Sequence, residues 1–101
     1  MPTEALLNGK RILVVGASSG LGAAFAKAAV LQGALVTVSA RREDRLEELV
    51  AEMGSGFAVS GDATLSEDAK RVAELAAEQM GGIDLMFFNG ISKAQHIAAT
   101  P

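Results

Sequence analysis

In Arg11–Val15 (RILVV) the arginine is followed by an unbroken apolar run with no polar residue between its branched side chains. A strand that buries one face alternates apolar and polar residues. A continuous run suits a strand covered on both faces, as inside a parallel sheet. The rest of the chain supplies what such a sheet needs. Gly20–Gln32 is rich in alanine and reads as a helix, with Leu21, Phe25, Ala28 and Ala29 on its inner side and Gly33 as its stop. Ala34–Ser39 (ALVTVS) reads as a second strand, and Glu43–Met53 as a helix with Leu46, Leu49, Val50 and Met53 on one face. Phe57–Ser60 (FAVS) is a short third strand. Thr64-Leu65-Ser66-Glu67 has the spacing of a capping box. It is expected to open a helix that turns Ala69, Val72, Ala73, Ala76 and Met80 inward before Gly81-Gly82. Ile83–Phe88 reads as a fourth strand that leaves through Asn89-Gly90. The order β-α-β-α-β-α-β predicts an α/β fold, a parallel sheet joined by right-handed crossovers.

Composition narrows the function. With 101 residues, 50% apolar and 21% charged, the chain is the size and polarity of one small folded domain. Nine basic against twelve acidic residues give a net charge of −3, so no basic field for nucleic acid and no polybasic stretch for a lipid surface is expected. There is no cysteine and a single histidine, His96, which excludes thiol chemistry and an imidazole metal cluster and leaves His96 without an assigned role. No apolar run approaches the roughly 20 residues of a bilayer span, and no signal-peptide pattern opens the chain. A cytoplasmic setting is therefore expected.

The feature with the most chemical content is Gly16-Ala17-Ser18-Ser19-Gly20-Leu21-Gly22, between the first strand and the first helix. Glycines there permit a tight turn and let backbone N–H groups approach an anion. The helix N-terminus behind them carries roughly half a positive charge. The spacing Gly-x3-Gly-x-Gly differs from the commoner Gly-x-Gly-x2-Gly, and no Lys-Ser/Thr follows as in a P-loop. A tight turn without a ligand is the plain alternative. Ser18 and Ser19 have no base nearby in sequence, so they read as phosphate or ribose contacts and not as nucleophiles.

VGASSGLG after a first strand resembles the cofactor loop of the short-chain dehydrogenase/reductase family. Three further stretches agree. Gly61-Asp62-Ala63-Thr64 is similar to that family's turn whose aspartate meets adenine. Ile83-Asp84-Leu85 leading to Asn89-Gly90 is similar to its Asn-Asn-Ala-Gly strand end, and Gly9-Lys10 precedes the first strand as is usual there. Val15 stands where Thr is usual, Phe88 stands at the first Asn, and the segment is one residue short. The resemblance implies a Rossmann-type doubly wound sheet, here its front half, in strand order 3-2-1-4. It also implies a dinucleotide held by Gly16, Ser18, Ser19, Gly20, Leu21, Gly22, Asp62, Ala63, Asn89 and Gly90. Asp62 and Asn89 each have a plainer reading as turn formers.

The end of the second strand bears on the cofactor. An acid there would bind the ribose of NAD, and an arginine would accept the 2′-phosphate of NADP. The run is Ser39-Ala40-Arg41-Arg42-Glu43: a small residue in place of the acid, then two guanidinium groups. NADP(H) is expected, with Arg41 as the first contact and Arg42 as the second. Glu43, near the distance of a ribose acid, argues the other way.

The family's proton relay of Ser, Tyr and Lys lies beyond its fourth strand, and the present 101 residues contain no tyrosine. Thr100-Pro101 has the chemistry of a helix start. The expectation is a partial dinucleotide-binding domain over 1–101: the front part of an NADP(H)-dependent oxidoreductase acting on a carbonyl/alcohol pair, with a small-molecule substrate. On this reading no residue of the chain is catalytic. A non-catalytic dinucleotide-binding module or sensor is the alternative. Leu85, Met86, Phe87 and Phe88 would lie on an unpaired edge, so a homo-oligomer is expected.

Overall fold

The computed structural model describes residues 6–17 and 20–89. Seven elements follow one another: β1 (Arg11–Val15), α1 (Gly20–Leu31), β2 (Leu35–Ala40), α2 (Glu43–Met53), β3 (Phe57–Ser60), α3 (Ser66–Met80) and β4 (Leu85–Phe88). The strands form one sheet in the order β3-β2-β1-β4, and all three pairings are parallel. Type and order are as expected. Parallel pairing places every strand's C-terminal end on the same edge of the sheet.

Strand β1 explains why its sequence does not alternate. Ile12, Leu13 and Val14 are fully buried although they point to opposite faces. Ile12 and Val14 join Val36, Val38, Ala26, Ala29, Leu46 and Leu49 in the layer under α1 and α2. Leu13 and Val15 join Val59, Val72, Ala76 and Met80 under α3. Right-handed crossovers produce this division: two helices on one face, the third on the other.

Helix α1 departs from the expected face. Its buried residues are Gly22, Ala26 and Ala29, whereas Leu21 is 67% exposed and Ala28 is exposed. The helix is turned by about one residue, roughly 100°. The cause is Gly22, where an added Cβ would lie 2.6 Å from the Gly16 carbonyl oxygen, so this position must face the sheet. Phe25 is half-buried and stacks on Phe87 of β4, ring centroids 4.4 Å apart.

The capping box also fails to form. Leu65 is the N-cap of α3 and makes no side-chain cap. Thr64 turns the other way: its N–H and its hydroxyl both donate to Asp62 Oδ1, at 3.0 and 2.6 Å. An aspartate two residues upstream offers a closed local turn, which competes with the helix for the threonine. Strand β2 begins one residue later than expected and includes Ala40.

Strand β4 begins at Leu85 because Asp84 is engaged elsewhere. The Arg11 guanidinium grips it through Nε and Nη2, both at 3.0 Å, and donates to Gly81 O at 2.8 Å. The Arg11 N–H also donates to Asp84 Oδ2 at 2.8 Å, and the Asp84 N–H donates to Arg11 O at 2.7 Å. The Arg11 hydrogen bonds hold the Asp84 carboxyl well below the usual carboxylate range. This clamp closes the N-terminal edge of the sheet, opposite the glycine loop. On its outer side β4 has no described neighbour, and Leu85, Met86 and Phe88 are exposed.

Two measurements test this packing. Leu46→Ala removes a fully buried side chain and is expected to cost about 2–5 kcal/mol in urea unfolding, while Leu21→Ala stays within about 0.5 kcal/mol. A large loss at Leu21 would restore the face read from sequence. The second concerns acid. Asp84 has a depressed folded-state pKa, so its contribution is complete above the unfolded value near 4 and is lost as pH falls toward the folded one. Melting curves of wild type and Asp84→Asn should therefore differ at neutral pH and converge below about pH 4.

Candidate functional site

The four strand ends place Gly16, Arg41, Gly61 and Asn89 next in chain after Val15, Ala40, Ser60 and Phe88. In an open parallel sheet this edge holds ligands, at the point where chain order reverses across neighbouring strands. Here that point is β1, with β2 on one side and β4 on the other.

The turn after β1 crosses over the end of β2. The N–H groups of Gly16 and Ala17 both donate to Ser39 O, at 2.8 and 3.1 Å. From the other side, Asn89 N–H donates to Val15 O at 2.8 Å, and the Asn89 side-chain amide donates to Gly16 O at 3.1 Å. Gly16 has φ +81°, and a Cβ there would overlap the Asn89 carbonyl oxygen. A Cβ on Gly22 would meet both Gly16 O and the Asn89 amide nitrogen. Three residues thus form one close-packed knot in which two must be glycine for space alone.

Gly20 is different. It has φ +62°, which L side chains rarely adopt, but a Cβ there would touch nothing within 4 Å among the described residues. No described side chain crowds the first residue of α1, and Leu21 beside it is largely exposed. An N-terminal turn with free frontal space and exposed N–H groups can receive an anion. Ser18, Ser19 and Gly90 lie outside the described residues.

Arg41 is exposed and forms no ion pair among the described residues. Arg42 is the N-cap of α2 and pairs with Asp44 at 3.2 Å, which raises the guanidinium pKa and lowers that of the carboxyl. Both partners are more than 60% exposed, so the pair is weak and exchangeable. Glu43 starts α2 beside them. Asp62 is held below the usual carboxylate range, first by the Thr64 hydroxyl, then by the Thr64 N–H, with a smaller electrostatic pull from Arg41. Ala63 lines a cavity of about 40 Å³ with Leu13, Val15, Val72 and Phe88, an almost wholly apolar setting. The edge therefore divides into a part at the start of α1, where a helix leaves its first N–H groups without intrahelical partners, a cationic part at Arg41, and an apolar part at Ala63 next in chain to the Asp62 carboxylate. No group of three or more metal-ligating side chains occurs among the described residues.

Sequence reasoning missed the partners that hold these residues. Ser39 serves through its carbonyl, which no side-chain pattern reveals. Asp68 accepts the Asp62 N–H at 2.9 Å, and its only sequence signal is an acid in the first turn of α3.

The two glycines separate space from conformation. Gly20→Ala imposes only an αL alanine and should cost about 1–2 kcal/mol. Gly16→Ala adds a backbone overlap, and its melting temperature should fall well below that of Gly20→Ala. Equal losses would show that the Gly16–Asn89 contact relaxes freely.

Comparison with known proteins agrees with this geometry. A family model described as short chain dehydrogenase matches residues 10–100. The A-factor type gamma-butyrolactone 1'-reductase (1S-forming) of Streptomyces virginiae is 43% identical over 88 residues, covering 83% of this chain and 34% of that protein. The hydroxysteroid 11-beta-dehydrogenase 1-like protein of Danio rerio is 37% identical over 98 residues, covering 92% of this chain and 34% of its own length. The crystal structure of a short chain dehydrogenase from Mycobacterium smegmatis superposes with a TM-score of 0.80 at 32% identity, over 84% of this chain and 37% of that one. The chain thus spans about a third of the length of the curated relatives it matches. With its parallel 3-2-1-4 sheet and a model match over nearly all its residues, the chain belongs to the short-chain dehydrogenase family.

Proposed function

We propose that this chain forms the dinucleotide-holding part of an NADP(H)-dependent oxidoreductase that interconverts a carbonyl and an alcohol. The observation that carries the reading is the turn after β1. Two of its glycines are required by close packing on Asn89, while the third, at the start of α1, is crowded by none of the described residues. That position leaves the N-terminus of α1 approachable by an anion.

The edge fits the cofactor in three parts. Gly16, Ser18, Ser19, Gly20, Leu21 and Gly22 take the pyrophosphate, with the partial charge of the α1 N-terminus behind it. Arg41 takes the 2′-phosphate, as the exposed cation nearest the end of β2, and Arg42 follows when it releases Asp44. Asp62 and Ala63 border the adenine. Asp62 Oδ1 is occupied by Thr64, and Oδ2 is the oxygen left to accept from an amino group. Asn89 and Gly90 close the nicotinamide-side end, where Asn89 also fixes the shape of the pyrophosphate turn.

The nicotinamide ring supplies the hydride when bound. The residues of this chain bind and orient, and we assign none of them to proton transfer. The similar proteins named as reductase and dehydrogenase support a small carbonyl or alcohol as substrate.

Calorimetric titration with NADPH and NADH tests the cofactor assignment. Arg41→Ala should weaken NADPH by about 1.5–3 kcal/mol, the range for hydrogen bonds to charged groups, and leave NADH nearly unchanged. Arg42→Ala should show the same sign and a smaller effect. Equal losses for both cofactors at Arg41 would remove the 2′-phosphate assignment.

A further inference from the structure

We propose that Asp68, on α3, is a positioning residue for the base-contacting turn Gly61-Asp62-Ala63 and acts through Asp62. The inference rests on the functional reading above, because it supposes that this turn meets the cofactor's base.

An acid in the first turn of a helix ordinarily serves its own helix, by facing the N-terminal N–H groups or by returning to the N-cap N–H. Asp68 does neither of these with Oδ2. That oxygen accepts the N–H of Asp62, six residues upstream and outside the helix, at 2.9 Å. Its Oδ1 faces Arg71 at 3.6 Å, and Arg71 Nη2 reaches back to donate to Ser60 O at 2.9 Å. Gly61 is thus strapped to α3 on both flanks, at the carbonyl before it and at the N–H after it. Contact is close as well: a Cβ on Gly61 would lie 2.7 Å from Val72 Cγ2 and 3.1 Å from Arg71 Nη2. The sheet contributes one backbone bond to this turn, from Gly61 N–H to Ala40 O at 2.9 Å.

The consequence is a division of labour within Asp62. Its N–H is taken by Asp68 and its Oδ1 by Thr64. Both anchors hold the backbone and one oxygen still, which fixes how Asp62 presents Oδ2. Without Asp68 the Thr64 bonds persist, but they tie Asp62 only to its own turn and not to the body of the protein. The hydrogen bond and not the charge does the positioning. The Asp68–Arg71 contact is long and its partners are 34% and 47% exposed.

The test uses the whole protein with three probes: NADPH and 2′,5′-ADP, which carry adenine, and nicotinamide mononucleotide, which does not. Asp68→Ala should weaken 2′,5′-ADP about tenfold, the worth of one hydrogen bond, and leave nicotinamide mononucleotide unchanged. Asp68→Asn keeps a carbonyl oxygen for the Asp62 N–H and should stay within about twofold of wild type, since an exposed ion pair adds little. In an Asp62→Ala background, Asp68→Ala should add no further loss for 2′,5′-ADP, because the two residues act as a unit. If Asp68→Ala does not fold by circular dichroism, Asp68→Ser, a residue suited to a helix start, takes its place with the same expectations. Wild-type affinity in a folded Asp68→Ala or Asp68→Ser variant overturns the proposal. So does full additivity with Asp62→Ala, or an equal loss for nicotinamide mononucleotide. A wild-type protein that binds none of the three probes removes the functional reading itself, and this inference with it.

Discussion

Gly16, Gly22 and Asn89 meet with no room for a side chain at either glycine, and the arrangement of the neighbouring elements is adjusted to that contact. Strand β1 is hydrogen-bonded to β2 on one side and β4 on the other, so the turn leaving it must pass between their ends. Any side chain at Gly16 would strike the Asn89 backbone, and any at Gly22 would strike the Gly16 carbonyl. From this follow the rotation of α1, the exposure of Leu21 and the small residues Ala26 and Ala29 beneath the helix. The knot draws α1 close to the sheet, and only small residues fit at that distance.

Much of the fold was legible because its elements differ in kind. Strand β1, helix α2 and strand β3 fall on the residues expected, since each is an apolar run or an amphipathic stretch bounded by glycine or a polar turn. Helices α2 and α3 bury the face that their spacing predicted, because charged residues on the opposite side mark it. Helix α1 was misjudged for the opposite reason. Nearly all its residues are small or apolar, so periodicity offers little contrast, and a contact between distant segments decides the matter. Thr64 shows a second limit. Two local hydrogen-bonding schemes share its spacing, and the aspartate on its N-terminal side prevails.

The site divides along the same line. Strand ends could be located from the alternation of elements, and that placed Gly16, Arg41, Asp62 and Asn89 on one edge. What holds each of them there could not be read. Ser39 acts through a carbonyl, Asn89 reaches a glycine far upstream, and Asp68 ignores its own helix to hold Asp62. Arg41 and Arg42 are neighbours of the same type, yet one is bound to Asp44 and the other is not. Adjacent arginines carry no sequence signal that tells them apart.

Strand β4 is fastened at both ends, by the Arg11–Asp84 clamp at one and the Asn89–Gly16 bond at the other, and both span 73 residues of chain. Closing a loop of that length carries a length-dependent entropy cost of roughly 4 kcal/mol. Contacts so distant in sequence slow folding, because the loop must be closed before they repay its entropy. The shape of the glycine turn is therefore tied to the docking of β4, the last described strand. A chain in which β4 has not docked lacks the contact that sets this turn, and any ligand that favours the finished edge stabilises only molecules in which that contact has formed.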